Sequence, residues 1–115
     1  MLIFNQMVER SQMLDSTFAA VSDPTRRAIL AALAHGEASV GELAEPFDVS
    51  FQAVSKHIGV LANAGLVERE KRGRIQVCRL VPDPLIEADA WIGGYRAFWE
   101  EKFDSFDAYL RKERR

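Results

Sequence analysis

Residues 39–65 read SVGELAEPFDVSFQAVSKHIGVLANAG, and this stretch holds two short helices joined by a tight connection. Ser39 followed three residues later by Glu42 matches a capping box. The serine oxygen accepts from the amide of Glu42, and the glutamate reaches back to the amide of Ser39. Val40, Leu43, Ala44 and Phe47 give the first helix an apolar side. Pro46 marks its last turn, since proline inside a helix removes a donor and clashes with the preceding turn. Asp48-Val49-Ser50 is the connection. Ser50 caps a second helix running to about Ala64, where Asn63-Ala64-Gly65 supplies the stop.

On this second helix successive residues rotate by about 100°. Val54, Ile58 and Leu61 fall on one stripe and are expected in the core. Gln52, Lys56 and Gly59 fall on the opposite side, with Phe51 and Ser55 at its border. Two short helices joined by about three residues are the signature of a helix-turn-helix. The polar face has the chemistry a major groove accepts: glutamine pairs with adenine, and lysine reaches guanine or phosphate. Phe51 has two readings, one against a thymine methyl and one packed inside. A polar outer face alone is common on surface helices, so the reading rests on the joint pattern. His57 lies nearer the core side and reads as a packed or backbone-bonded histidine.

Working outward, the period changes after Leu66. Residues 67–71 alternate weakly and 75–81 alternate clearly, with Arg72-Gly73-Arg74 between them. This predicts a β-hairpin with a basic tip, a wing, followed by Pro82 and Pro84. Upstream, Asp23 and Pro24 suit the N-cap and N1 of a helix over 24–34, with Ile29, Leu30 and Leu33 inward and Gly36 as its end. Arg26 and Arg27 read there as structural or surface charges. Residues 6–13 suggest a short helix. A further one has Leu14, Phe18 and Val21 at helical spacing and Asp15 or Ser16 as its cap. Downstream, residues 85–112 carry a helical aromatic stripe that includes Trp91, Tyr95, Phe98, Trp99 and Phe103. The fold class is therefore mainly α with a small β-hairpin: a winged helix-turn-helix of about five helices and a two-stranded wing. It is read as one domain over 1–115, with a DNA-binding core at 14–81 and a C-terminal dimerisation helix at 84–112.

Charge distribution agrees with this. The 115-residue chain has a net charge of −2, mildly against a nucleic-acid partner. Yet residues 50–81 carry six basic residues against two acidic ones, a net of +4, which leaves −6 for the remainder. The expected DNA-contacting residues are Ser50, Phe51, Gln52, Ser55 and Lys56 on the second helix and Arg69, Arg72 and Arg74 on the wing. Arg72 and Arg74 would reach the minor groove or flanking phosphates. No apolar stretch approaches a membrane span, and Met1-Leu2-Ile3-Phe4 lacks the features of a signal peptide, so a cytoplasmic location is expected. The single cysteine, Cys78, excludes an intrachain disulfide and a cysteine-based metal site within one chain. It reads as a buried strand residue; a redox role would need it to work alone or across a dimer. No nucleophile–base pair, metal cluster or phosphate-cradling glycine loop is present, so neither enzyme activity nor a cofactor is expected.

The stretches SDPTRRAILAAL (22–33), GELAEPFDVS (41–50), AVSKHIGVLANAGLV (53–67) and EREKRGRIQVCRL (68–80) closely resemble the ArsR-type winged-helix regulators. The resemblance runs from Phe18 to Val81. It implies a homodimer that binds a palindromic operator in double-stranded DNA and represses transcription. It also implies that residues 50–57 read DNA and residues 69–74 form the wing. The departures concern metal. Metal-sensing members carry Glu-Leu-Cys-x-Cys where this chain has Glu42-Leu43-Ala44-Glu45-Pro46, and residues 84–115 contain no histidine. The chain is similar to the metal-independent branch, so no metal site is expected.

The aromatic stripe is too large for one small domain to cover. Part of it is expected to pack within the chain and part to form an isologous dimer face of Trp91, Tyr95, Phe98, Trp99 and Phe103. Gly93-Gly94 interrupts this helix, either for close helix crossing or as a hinge that couples a dimer pocket to the spacing of two reading heads. Those heads should sit roughly 34 Å apart. A winged-helix module that binds protein and has lost DNA binding is the competing reading, motivated by the acidic net charge.

Overall fold

A computed structural model describes residues 2–113, with the side chains of 6 and 8–113. Five helices and three strands follow in the order α1 (Leu2–Val21), α2 (Pro24–Leu33), β1 (Ala38–Ser39), α3 (Val40–Ala44), α4 (Phe51–Asn63), β2 (Val67–Arg72), β3 (Ile75–Leu80) and α5 (Asp83–Glu113). The chain divides into two compact units, one up to Leu85 and one from Ile86 onward.

In the first unit the caps act as the local chemistry requires. Asp23 Oδ2 accepts from the amide of Arg26 at 3.0 Å and starts α2. That backbone bond is the main reason the Asp23 carboxyl lies below its usual range. Ser39 and Glu42 form the reciprocal capping box, both bonds at 3.1 Å. Pro46 falls outside α3, which ends at Ala44. α4 ends in a Schellman motif: Leu66 N donates to Leu61 O at 2.9 Å and Gly65 N to Ala62 O at 3.0 Å. Gly65 sits there at φ +77°, a conformation that glycine adopts without steric cost.

The hairpin pairs Val67 with Leu80 through Arg72 with Ile75. Gly73 and Arg74 form its two-residue turn, with φ +65° at Gly73 and no positive φ at Arg74. This matches the type II′ turn, whose twist suits antiparallel strands. The sheet has three strands, in the order β1-β3-β2. The two-residue β1 pairs Ala38 with Cys78 and Ser39 with Val77. Two residues are too few to show an alternating pattern, so the sequence reading stopped at two strands.

The core of this unit combines Ile29, Leu30 and Leu33 of α2 with Val40 and Leu43 of α3. Val54, Ile58 and Leu61 of α4, Cys78 of β3, and Ala20, Leu66 and Val67 belong to the same cluster. Two expectations for the N-terminal segment need correction. One uninterrupted α1 replaces the two short helices, and Asp15 and Ser16 lie inside it rather than capping it. Among its described side chains Thr17 and Ala20 are buried, whereas Phe18 is 37% exposed. The Thr17 hydroxyl donates to Met13 O at 2.9 Å, which satisfies a polar group that an apolar-pattern reading passes over.

The second unit is helical. α5 continues through Gly93-Gly94 without a break, so these glycines do not interrupt it. A Cβ added at either would meet nothing within 4 Å. Gly94→Ala should therefore stabilise the helix by about 1 kcal/mol, seen as a higher midpoint in thermal unfolding followed by circular dichroism. A lower midpoint would mean that a neighbouring copy approaches the helix backbone at this position.

Candidate nucleic-acid interface

α4 presents its faces as its periodicity requires. Val54, Ile58 and Leu61 are fully buried. Gln52 and Lys56 are exposed on the opposite side, with Ser55 and Gly59 half-buried beside them. Phe51 is 54% exposed, so it is not packed inside. Ser50 Oγ accepts from the amide of Ala53 at 3.1 Å. A hydroxyl has one donor and two acceptor positions, so the Ser50 O–H stays available to a phosphate.

The helix is tied down from behind by Arg26. Its Nε donates to Ala20 O at 2.6 Å and its NH2 to Ala19 O at 3.1 Å, while Arg27 NH1 donates to Val21 O at 2.8 Å. These carbonyls lie in the last turn of α1, where no further helical turn supplies donors. The guanidinium groups cap them together with Ser22, whose amide and hydroxyl also donate to Ala19 O. The remaining arm of Arg26, NH1, lies 3.2 Å from Nδ1 of His57 on α4. A guanidinium only donates, so Nδ1 is the acceptor and the imidazole proton sits on Nε2. Asp23 Oδ2 is 3.9 Å from the same nitrogen. Arg26 and Arg27 are thus structural, and His57 is a side-chain bridge between α2 and α4.

On the wing, strand alternation separates two faces. Arg69 and Lys71 share a face with Val67, Cys78 and Leu80, which is buried at the base and basic towards the tip. Cys78 is fully buried, and that burial pushes its thiol above the usual range. Glu68, Glu70, Arg72 and Arg79 share the other face. Arg79 pairs there with Glu68. Arg72 donates to Glu37 at 2.7 and 3.2 Å and to Glu70 Oε2 at 3.2 and 3.0 Å. These two carboxylates raise the Arg72 pKa above its ordinary value, and the Arg72 hydrogen bond is the main cause that lowers that of Glu37. Arg74 at the turn is exposed and makes no ion pair among the described residues. Of the three wing arginines singled out in the sequence, Arg69 and Arg74 make no ion pair among the described residues, whereas Arg72 is held by two glutamates.

The aromatic stripe of α5 is open. Trp91, Tyr95, Phe98, Trp99 and Phe103 are each at least 48% exposed, as are Phe106 and Tyr109. Neighbouring rings contact one another along the helix, with Trp91–Tyr95 centroids 5.0 Å apart and Trp99–Phe103 centroids 6.2 Å apart. Ile86 and Ile92 add exposed apolar surface that the aromatic spacing did not flag. Among the described residues no group of three His, Cys, Asp or Glu side chains is placed to hold a metal ion, and no helix is long and apolar enough to cross a membrane.

The protein family described as a helix-turn-helix domain matches residues 21–70. The HTH-type transcriptional regulator Rv2034 of Mycobacterium tuberculosis is 46% identical over 71 residues, which cover 62% of this chain and 66% of that protein. The transcriptional repressor SdpR of Bacillus subtilis is 32% identical over 79 residues, 69% of this chain and 88% of that protein. Among solved structures, the ArsR family transcriptional regulator RHA00566 superposes with a TM-score of 0.74 at 38% identity, over 78% of this chain and 93% of that one.

Proposed function

Because the chain belongs to the ArsR family of winged helix-turn-helix DNA-binding transcriptional regulators, we propose that it is a repressor that binds a palindromic operator as a homodimer. The observation that carries the reading is the exposed face of α4, Gln52 and Lys56 with Phe51 and Ser55 at its border, behind which Val54, Ile58 and Leu61 are fully buried. Such a face can enter a major groove. Gln52 and Lys56 are assigned to base edges and nearby phosphate, the Ser50 hydroxyl to phosphate, and Phe51 to a thymine methyl. Arg69, Arg72 and Arg74 are assigned to the flanking backbone.

Homodimerisation is assigned to residues 84–112, whose exposed aromatic rings are the kind of surface that a monomer seldom leaves in water. Two copies related by a twofold axis would present two α4 helices to successive major grooves. Action in the cytoplasm, without metal or cofactor, completes the reading.

Gel-shift titration of an operator, selected from a random pool by the wild-type protein, tests the contacts. Gln52→Ala should lose about 1–3 kcal/mol and relax preference at one base position. Lys56→Ala should weaken binding to all sequences and flatten the salt dependence by about one unit of log–log slope. Unchanged affinity in both variants would refute the assignment. Failure of the wild type to bind any DNA at low salt would leave the protein-binding reading.

A further inference from the structure

We propose that Glu37 is an intramolecular competitor for DNA phosphate, holding the wing arginine Arg72 until a backbone phosphate replaces it. The inference rests on the DNA-binding reading above and adds a residue that sets the affinity.

Glu37 lies in the connection between α2 and β1, outside both the helix-turn-helix and the hairpin. Gly36 precedes it at φ +146°, a conformation that L side chains rarely adopt. The carboxylate meets Arg72 in a two-pronged arrangement, NH1 to Oε1 at 2.7 Å and NH2 to Oε2 at 3.2 Å. A guanidinium makes this same fork with a carboxylate or a phosphate, so one anion can be exchanged for the other without rebuilding the arginine.

Charge on this face makes the exchange matter. Register and alternation place Glu68, Glu70, Arg72 and Arg79 together, and Glu37 joins them through Arg72. Three carboxylates face two guanidinium groups, a net of −1. With Glu37 in place, the Arg72 charge is more than cancelled by its two glutamate partners. Glu70 sits two residues from Arg72 on the same strand, whereas Glu37 reaches Arg72 from the α2–β1 connection, so Glu37 is the partner assigned to exchange with a phosphate.

The energies permit exchange. The side chains of Arg72 and Glu37 are 48% and 45% exposed. Exposed ion pairs contribute little because water and salt screen them. The pair is therefore strong enough to bias a free wing and weak enough to yield to a phosphate backbone.

The test is a double-mutant cycle on binding to a mixed-sequence DNA duplex, with fluorescence anisotropy read across a salt series and folding checked by thermal melts. Glu37→Gln should tighten binding roughly two- to fivefold, the size expected for release of an exposed pair. Arg72→Ala should weaken binding and flatten the log–log salt slope by about 0.9, the mark of one lost phosphate contact. In the Arg72→Ala background, Glu37→Gln should give no gain. An equal gain in both backgrounds would reduce the effect to net charge and overturn the proposal. So would an unchanged salt slope in Arg72→Ala, or unchanged or weaker binding by Glu37→Gln. Absence of DNA binding by the wild type at low salt is a separate result, which refutes the functional reading and this inference with it.

Discussion

Trp99→Glu combined with Phe103→Glu should make the chain monomeric and lower its operator affinity by at least about a hundredfold. Trp99 is 56% exposed and Phe103 is 66% exposed, and they sit one helical turn apart. Each ring offers on the order of 100 Å² of apolar surface to a partner. Four such rings across a twofold interface bring roughly 10 kcal/mol of gross burial, before the costs of association are subtracted. Glutamate removes that term and places like charges against each other in an interface, where an unpaired charge is costly. The isolated helix should tolerate the change, since both sites face water and glutamate is a good helix former. A monomer also loses the second operator half-site, and the coupling of two half-sites ordinarily contributes a factor of 10² to 10⁴. Sedimentation equilibrium reads the assembly state, circular dichroism the helix content and gel shift the affinity. A double variant that remains dimeric at micromolar concentration would show that the aromatic stripe is not the dimer face.

Ile58→Ala should destabilise the protein by about 2–5 kcal/mol and lower its melting midpoint by at least about 8 °C. Ile58 is fully buried and lies between Val54 and Leu61, each also fully buried, on the inner stripe of α4. Deleting its methyl and methylene groups loses their transfer energy and leaves a cavity among residues that also hold α2 and α3. The comparison is Phe51→Ala, seven residues away on the same helix. Phe51 is a larger side chain but is 54% exposed, so its truncation should change stability by no more than about 0.5 kcal/mol. Thermal unfolding of the two variants side by side checks both. An Ile58→Ala midpoint within a degree or two of wild type would mean that the inner stripe of α4 does not carry the core. The outward direction of Gln52 and Lys56 would then lose its support.

The helix-turn-helix was legible because its signals are local. Asp23, Ser39 and Ser50 each bond an amide three residues ahead. The Gly65 stop and the Gly73 turn depend on backbone angles that glycine takes up easily. Helical periodicity sorted the two faces of α4 correctly for the same reason, since rotation per residue is a property of the helix alone. In α1 the helical spacing of Leu14, Phe18 and Val21 pointed to Val21, which packs against the core, but passed over Thr17 and Ala20, which are buried as a back-bonded hydroxyl and a small side chain. The aromatic rings of α5 are legible as a stripe because their spacing follows the helical period.

The amino-acid order by itself therefore determined the caps, the turn glycines, the presence of the wing hairpin and the two-faced character of α4. Each follows from interactions within a few residues or from a fixed helical or strand period. Only the tertiary structure decided which charges are free. Arg26 and Arg72 are both surface arginines in the sequence, yet one closes the end of α1 and bridges to His57 while the other is gripped by Glu37, 35 residues away. Contacts of that kind depend on where the chain returns in space, and no local pattern encodes them. The charge on this face of the wing is thus set as much by Glu37, which lies outside the hairpin, as by the arginines within it.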